Sequence, residues 1–94
     1  MMYPFLRLDD QTEIVYSHMQ TGGVVKVYIE KPVNEGFHSA ICYLPNYRWE
    51  DIKGFSSAEI ERYQGIVESV APLIIEFSQG EFMMVKSEEP HHGG

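Results

Sequence analysis

Residues 56–79 read SSAEIERYQGIVESVAPLIIEFSQ, and their spacing decides the fold. Ile60, Tyr63, Val67, Val70, Ile74 and Phe77 recur at steps of 3, 4, 3, 4 and 3, which is the stripe of one helix face. Ser56 followed by Glu59 forms a capping box, in which each side chain bonds the other residue's backbone N–H. Pro72 lacks an amide hydrogen and crowds the carbonyl four residues back. The stripe nevertheless keeps its phase across Pro72. The pattern predicts one kinked helix over Ser57–Ser78, ended by Gly80 as a C-cap.

Upstream of this helix the period is two. Tyr3–Leu8 is a short extended segment, with Pro4 at a sheet edge or strand start. Asp9-Asp10-Gln11 supplies turn chemistry. Thr12–Gln20 and Val24–Lys31 alternate on either side of Gly22-Gly23, two glycines that tolerate the positive φ of a tight hairpin turn. A two-residue turn pairs Val15 with Glu30, Ser17 with Tyr28 and Met19 with Lys26. The four-residue alternative sets Glu13 opposite Glu30, and like charges placed so destabilise. Pro32–Gly36 reads as a loop, Phe37–Leu44 as an interior strand apolar on both sides, and Tyr47–Ile52 as a fifth strand. Strands first and helix last give an α+β fold: a mainly antiparallel sheet of four to five strands with one long C-terminal helix on one face. Glu81–Lys86 fits either an edge strand or an ordered tail. SEEPHHGG, residues 87–94, is polar and aperiodic, so the domain is expected over 1–86 with an unpacked tail beyond.

Composition narrows the function. The chain has 94 residues, 44% of them hydrophobic, enough for one small globular domain. Asp and Glu number 14 against 7 Lys and Arg, for a net charge of −7. The basic residues are scattered from Arg7 to Lys86, without the stripe that direct nucleic-acid binding needs. No apolar run is long enough to span a membrane, and MMYPFLRLDD lacks the pattern of a secretory signal. A lone Cys42 forms no intrachain disulfide, so a reducing cytoplasm is the expected location.

Candidate chemistry is sparse. His38 and Cys42 share a strand face, but four residues along a strand span roughly 13 Å, beyond hydrogen-bond reach. Cys42 reads as a small buried hydrophobe. His18, at the hairpin end of the Ile14–Tyr16 row, reads as partly buried and bonded to backbone. Asp9-Asp10 and Glu50-Asp51 are adjacent carboxylates in a turn and at a strand end, without the two environments that acid–base work requires. No phosphate-binding glycine motif, nucleophile elbow or zinc-binding motif occurs. No cofactor and no metal are expected.

One helix covers one face of a small sheet, and the expected covered face carries Ile14, Tyr16, Val25, Val27, Ile29 and Ile41. The opposite face is expected to carry Val15, Met19, Tyr28, Ala40, Cys42 and Leu44, with Lys26, Glu30 and His38 among them. An uncovered apolar-aromatic patch of this kind marks an interface. The candidate binding residues are therefore Met19, Tyr28, His38, Cys42 and Leu44, with Arg48 and Trp49 at the neighbouring strand.

The segments YPFLRLDDQTEIVYS, VKVYIEKP, CYLPNYRWEDIKGFS and LIIEF resemble an uncharacterised family of short bacterial proteins. The resemblance runs over most of Tyr3–Phe77 and implies no activity and no site residue.

Three functions follow as expectations. The first is a non-enzymatic interaction module that acts through the second sheet face, as a homodimer or on a protein partner. The second is an acidic inhibitor that imitates nucleic acid, using Glu59, Glu61, Glu68 and Glu76 of the helix. The third is a small enzyme with a pocket near Tyr47, Arg48 and Trp49.

Overall fold

The chain makes five strands and then a helix, in a computed structural model that describes residues 2–79. The strands are β1 (Met2–Arg7), β2 (Glu13–Ser17), β3 (Val25–Val33), β4 (Gly36–Leu44) and β5 (Arg48–Lys53), followed by α1 (Ser57–Ser78). Each strand pairs with its sequence neighbour, giving the order β1-β2-β3-β4-β5, antiparallel throughout. The fold is α+β. The C-cap is Gln79, whose N–H donates to the Glu76 carbonyl at 3.2 Å, one residue before the expected Gly80; the Glu81–Lys86 segment and the 87–94 tail lie outside the described residues.

The helix spans the residues its stripe predicts. The Ser56 hydroxyl accepts the Glu59 N–H at 3.1 Å, and the Glu59 carboxylate accepts the Ser56 N–H at 2.8 Å, closing the capping box. Pro72 sits inside the helix on its exposed side. The buried line is Tyr63, Val67, Ala71, Ile74 and Ser78 rather than the full predicted stripe. A stripe stepping 3, 4, 3, 4, 3 averages fewer residues per turn than 3.6 and drifts around the helix. By the last turn Phe77 has rotated to 47% exposure, its ring 6.0 Å from that of Phe5.

Two expected registers are corrected. In the β2–β3 hairpin, Glu13 pairs with Glu30, Ile14 with Ile29, Val15 with Tyr28 and Tyr16 with Val27, a shift of two residues that keeps every face. The Glu13–Glu30 repulsion is tolerated because Arg7 takes Glu13 at 2.7 Å. Beyond Tyr16 the chain leaves the ladder. The Ser17 hydroxyl accepts the Lys26 N–H, and the Met19 N–H donates to the Ser78 carbonyl at 2.9 Å, tying the hairpin to the helix end.

The β3–β4 correction matters more. Pro32 and Val33 belong to β3, and the chain turns over Asn34-Glu35 alone. Pro32 is admitted because β3 runs past the end of its β2 ladder at Glu30, where no amide is required on that side. A five-residue loop over Pro32–Gly36 would pair Val27 with Ile41; the shorter turn pairs Val27 with Cys42, Ile29 with Ala40 and Val25 with Leu44. A one-residue change of register turns every side chain to the other face. Ala40, Cys42 and Leu44 are therefore buried under α1, and Ile41 joins Tyr28 on the far side.

The core between sheet and helix is built from Ile14, Val25, Val27, Ile29, Ala40, Cys42, Leu44, Phe55, Tyr63, Val67, Ala71 and Ile74. Each large aliphatic or aromatic side chain buried there contributes about 1.5–3 kcal/mol relative to exposure. Thr12, Ser17 and Ser78 are the buried polar residues among those described, and the Thr12 hydroxyl lies 3.3 Å from the Tyr63 hydroxyl.

Candidate interaction face

Strand pairing fixes which residues share the sheet face away from α1. Its central row runs Pro4, Val15, Tyr28, Ile41 and Glu50 across the five strands. Beside it, toward the β4–β5 turn, lie Lys26, Tyr43 and Arg48. On the other side lie Arg7, Glu13, Glu30, Ser39 and Lys53. Farther along, Pro32 stands beside Phe37, which is 63% exposed. Among the described residues no second helix or sheet covers this face, although Ile41 within it is only 8% exposed. It is an aromatic and aliphatic band between two charged rows.

Part of the charge is already matched within the chain. Arg48 reaches Glu50 at 2.8 Å, and its guanidinium lies 4.7 Å from the Tyr43 ring centroid. Arg7 holds Glu13. Lys26 and Glu30 form no ion pair with any described residue, although both are half-buried on the central strand.

Of the expected binding residues, Tyr28 and Arg48 stand on this face. Cys42 and Leu44 do not: they are 0% and 1% exposed beneath the helix. Burial pushes the Cys42 thiol up to about 11, so it is a poor nucleophile as well as an inaccessible one. Trp49 faces α1, where its indole N–H donates to Gln64 at 2.7 Å. His38 also lies on the helix side, with its ring 5.6 Å from Phe55 and pressed on Gly54. Met19 packs half-buried against the core. His18 is exposed and bonds the Tyr3 hydroxyl through Nε2, rather than a backbone group. Ile41, expected on the covered side, is turned with Tyr43 to the open one by the short Asn34-Glu35 turn.

Arg48 and Trp49 diverge to opposite faces and do not line one pocket with Tyr47. A recess of about 260 Å³ opens at the β1–β2 edge, bounded by Pro4, Phe5, Leu6, Arg7, Glu13, Ile14 and Val15. Its only ionisable pair, Arg7 and Glu13, is engaged with itself. The acidic helix face is partly committed as well, since Glu59 closes the cap and Glu68 accepts from Gln64 at 2.9 Å. Among the described residues no three His, Cys, Asp or Glu side chains lie close enough to hold a metal ion, and no helix is long and apolar enough to cross a membrane. Comparison with protein-family models, curated proteins and solved structures finds no match for the chain.

Proposed function

We propose that this protein is a non-enzymatic protein-binding module that works through the open face of its sheet. The observation that carries the reading is the Val15–Tyr28–Ile41 row, which lies opposite the helix-covered core with no described layer over it. Contiguous apolar and aromatic side chains rimmed by charge suit a protein surface, with an aromatic centre for affinity and a charged rim for orientation. The chemistry available there is contact chemistry: rings, aliphatic groups and fixed ion pairs.

The test is Tyr28→Glu, which puts a carboxylate at the centre of the band without entering the core. The variant is expected to keep its circular dichroism spectrum and to lose the protein partner that the wild type holds. Retained binding at wild-type strength would overturn the reading. Binding that survives the substitution but collapses as salt rises would favour the acidic inhibitor instead, because screened charge would then carry the contact.

A further inference from the structure

Resting on the proposed role of the open face, we infer that its partner is a second copy of this chain, packed face to face about a two-fold axis that runs along the Val15–Tyr28–Ile41 row. The argument begins with three charges of this face, Lys26, Glu30 and Lys53, that form no ion pair with any described residue. Lys26 and Glu30 lie two residues to either side of Tyr28 on the same face of the central strand, β3. They are roughly 13 Å apart and cannot meet each other. Glu13, directly opposite Glu30, is already held by Arg7 and supplies it no compensating charge.

A two-fold rotation about the apolar row lays each strand antiparallel over its own copy. Tyr28 then meets the partner's apolar row. Lys26 meets the partner's Glu30, and Glu30 meets the partner's Lys26. Lys26 and Glu30 are both satisfied, by the isologous logic of symmetric dimers, while Lys53 falls opposite the second copy's Arg48, whose charge Glu50 already holds at 2.8 Å. The sheet edges favour this face-on mode over edge-to-edge extension. β1 carries Pro4 and an irregularity between Pro4 and Leu6. β5 carries one opposite Ser39–Ile41 and a positive φ at Asp51. Such features blunt strand addition.

The size of the face sets the strength. Five strands spaced about 4.8 Å apart, over some six residues of length, give a footprint of roughly 500 Å² per copy. The pair buries about 1,000 Å², at the lower end for a specific complex, so association depends on concentration.

Sedimentation from about 10 to about 500 µM tests the inference. The wild type is expected to approach twice the monomer mass as concentration rises. Lys26→Glu alone and Glu30→Lys alone each place like charges across the axis, and each is expected to weaken association at least tenfold. An equimolar mixture of the two variants restores both pairs and is expected to recover the doubled mass. Circular dichroism confirms that each variant is folded, and Lys26→Gln with Glu30→Gln repeats the single-variant comparison should a charge reversal unfold the chain. A wild type that stays monomeric over the whole range, or a mixture no better than its components, overturns the self-pairing. If Tyr28→Glu abolishes association while the mixture fails to rescue it, the open face stands as a binding surface and only the two-fold arrangement falls. If association survives Tyr28→Glu, both readings fall.

Discussion

Gly54 illustrates how a single position can be fixed twice over. Its φ of +90° lies where L side chains are strained, and a Cβ there would sit 2.1 Å from Cδ2 of His38. Gly54→Ala is expected to cost about 1–3 kcal/mol, measured by denaturant midpoint. Substitution at Gly22, whose Cβ would meet open space, involves no clash. Asp10 is the other residue with leverage. Hydrogen bonding from Thr12 holds its carboxyl below the ordinary 3.8, helped by Lys31 at 3.7 Å and Arg62 at 3.9 Å, so one turn residue ties to β3 and α1. A lowered folded value means its contribution is present above the unfolded pKa and is lost as pH falls toward the folded one. Asp10→Asn is expected to be less stable than wild type at neutral pH. It should also lose less stability between about pH 5 and about pH 3, followed by denaturant titration at each pH.

At the scale of elements, the span of the helix was legible because its signals are local, whereas its buried line drifted from the predicted stripe toward Ala71 and Ser78. Ser56, Glu59 and the apolar stripe lie within a few residues of the contacts they make, and the observed bounds match. Ser56→Ala removes one half of the capping box and is expected to lower stability by about 1 kcal/mol, read from the thermal midpoint. The strands were legible to within a few residues at their ends for the same reason. Register was not, because it depends on loop length. The penalty of placing Glu13 against Glu30 argued for the wrong hairpin pairing, since Arg7 comes from a third strand that the hairpin's own sequence does not reveal. At Pro32, the usual exclusion of proline from strands hid two residues of β3 and turned the whole of β4 over.

For the whole molecule, that single turn decides which residues make the core and which the surface. Leu44, expected on the open face, is 1% exposed under the helix, so Leu44→Glu is expected to unfold the protein, seen as loss of its circular dichroism signal. The open face itself was legible through Tyr28, Lys26 and Glu30, whose side β3 alone determines; its other half waited on the turn. The strictly sequential strand order has one more consequence, which concerns synthesis. All five strands find their partners among neighbours already made, but the layer that covers Val25, Val27, Ile29, Ala40, Cys42 and Leu44 comes after them in the chain. At about 5–20 residues per second, a ribosome needs on the order of one to four seconds to translate the helix. Throughout that interval the emerging sheet has apolar side chains on both faces and no cover for either. A chain stopped at Lys53 holds that state permanently and is expected to collect in the pellet on centrifugation of the lysate, while the chain that continues through the helix stays in the supernatant. The nascent sheet is thus the form of this protein most in need of a chaperone, and the helix is the segment whose arrival releases it.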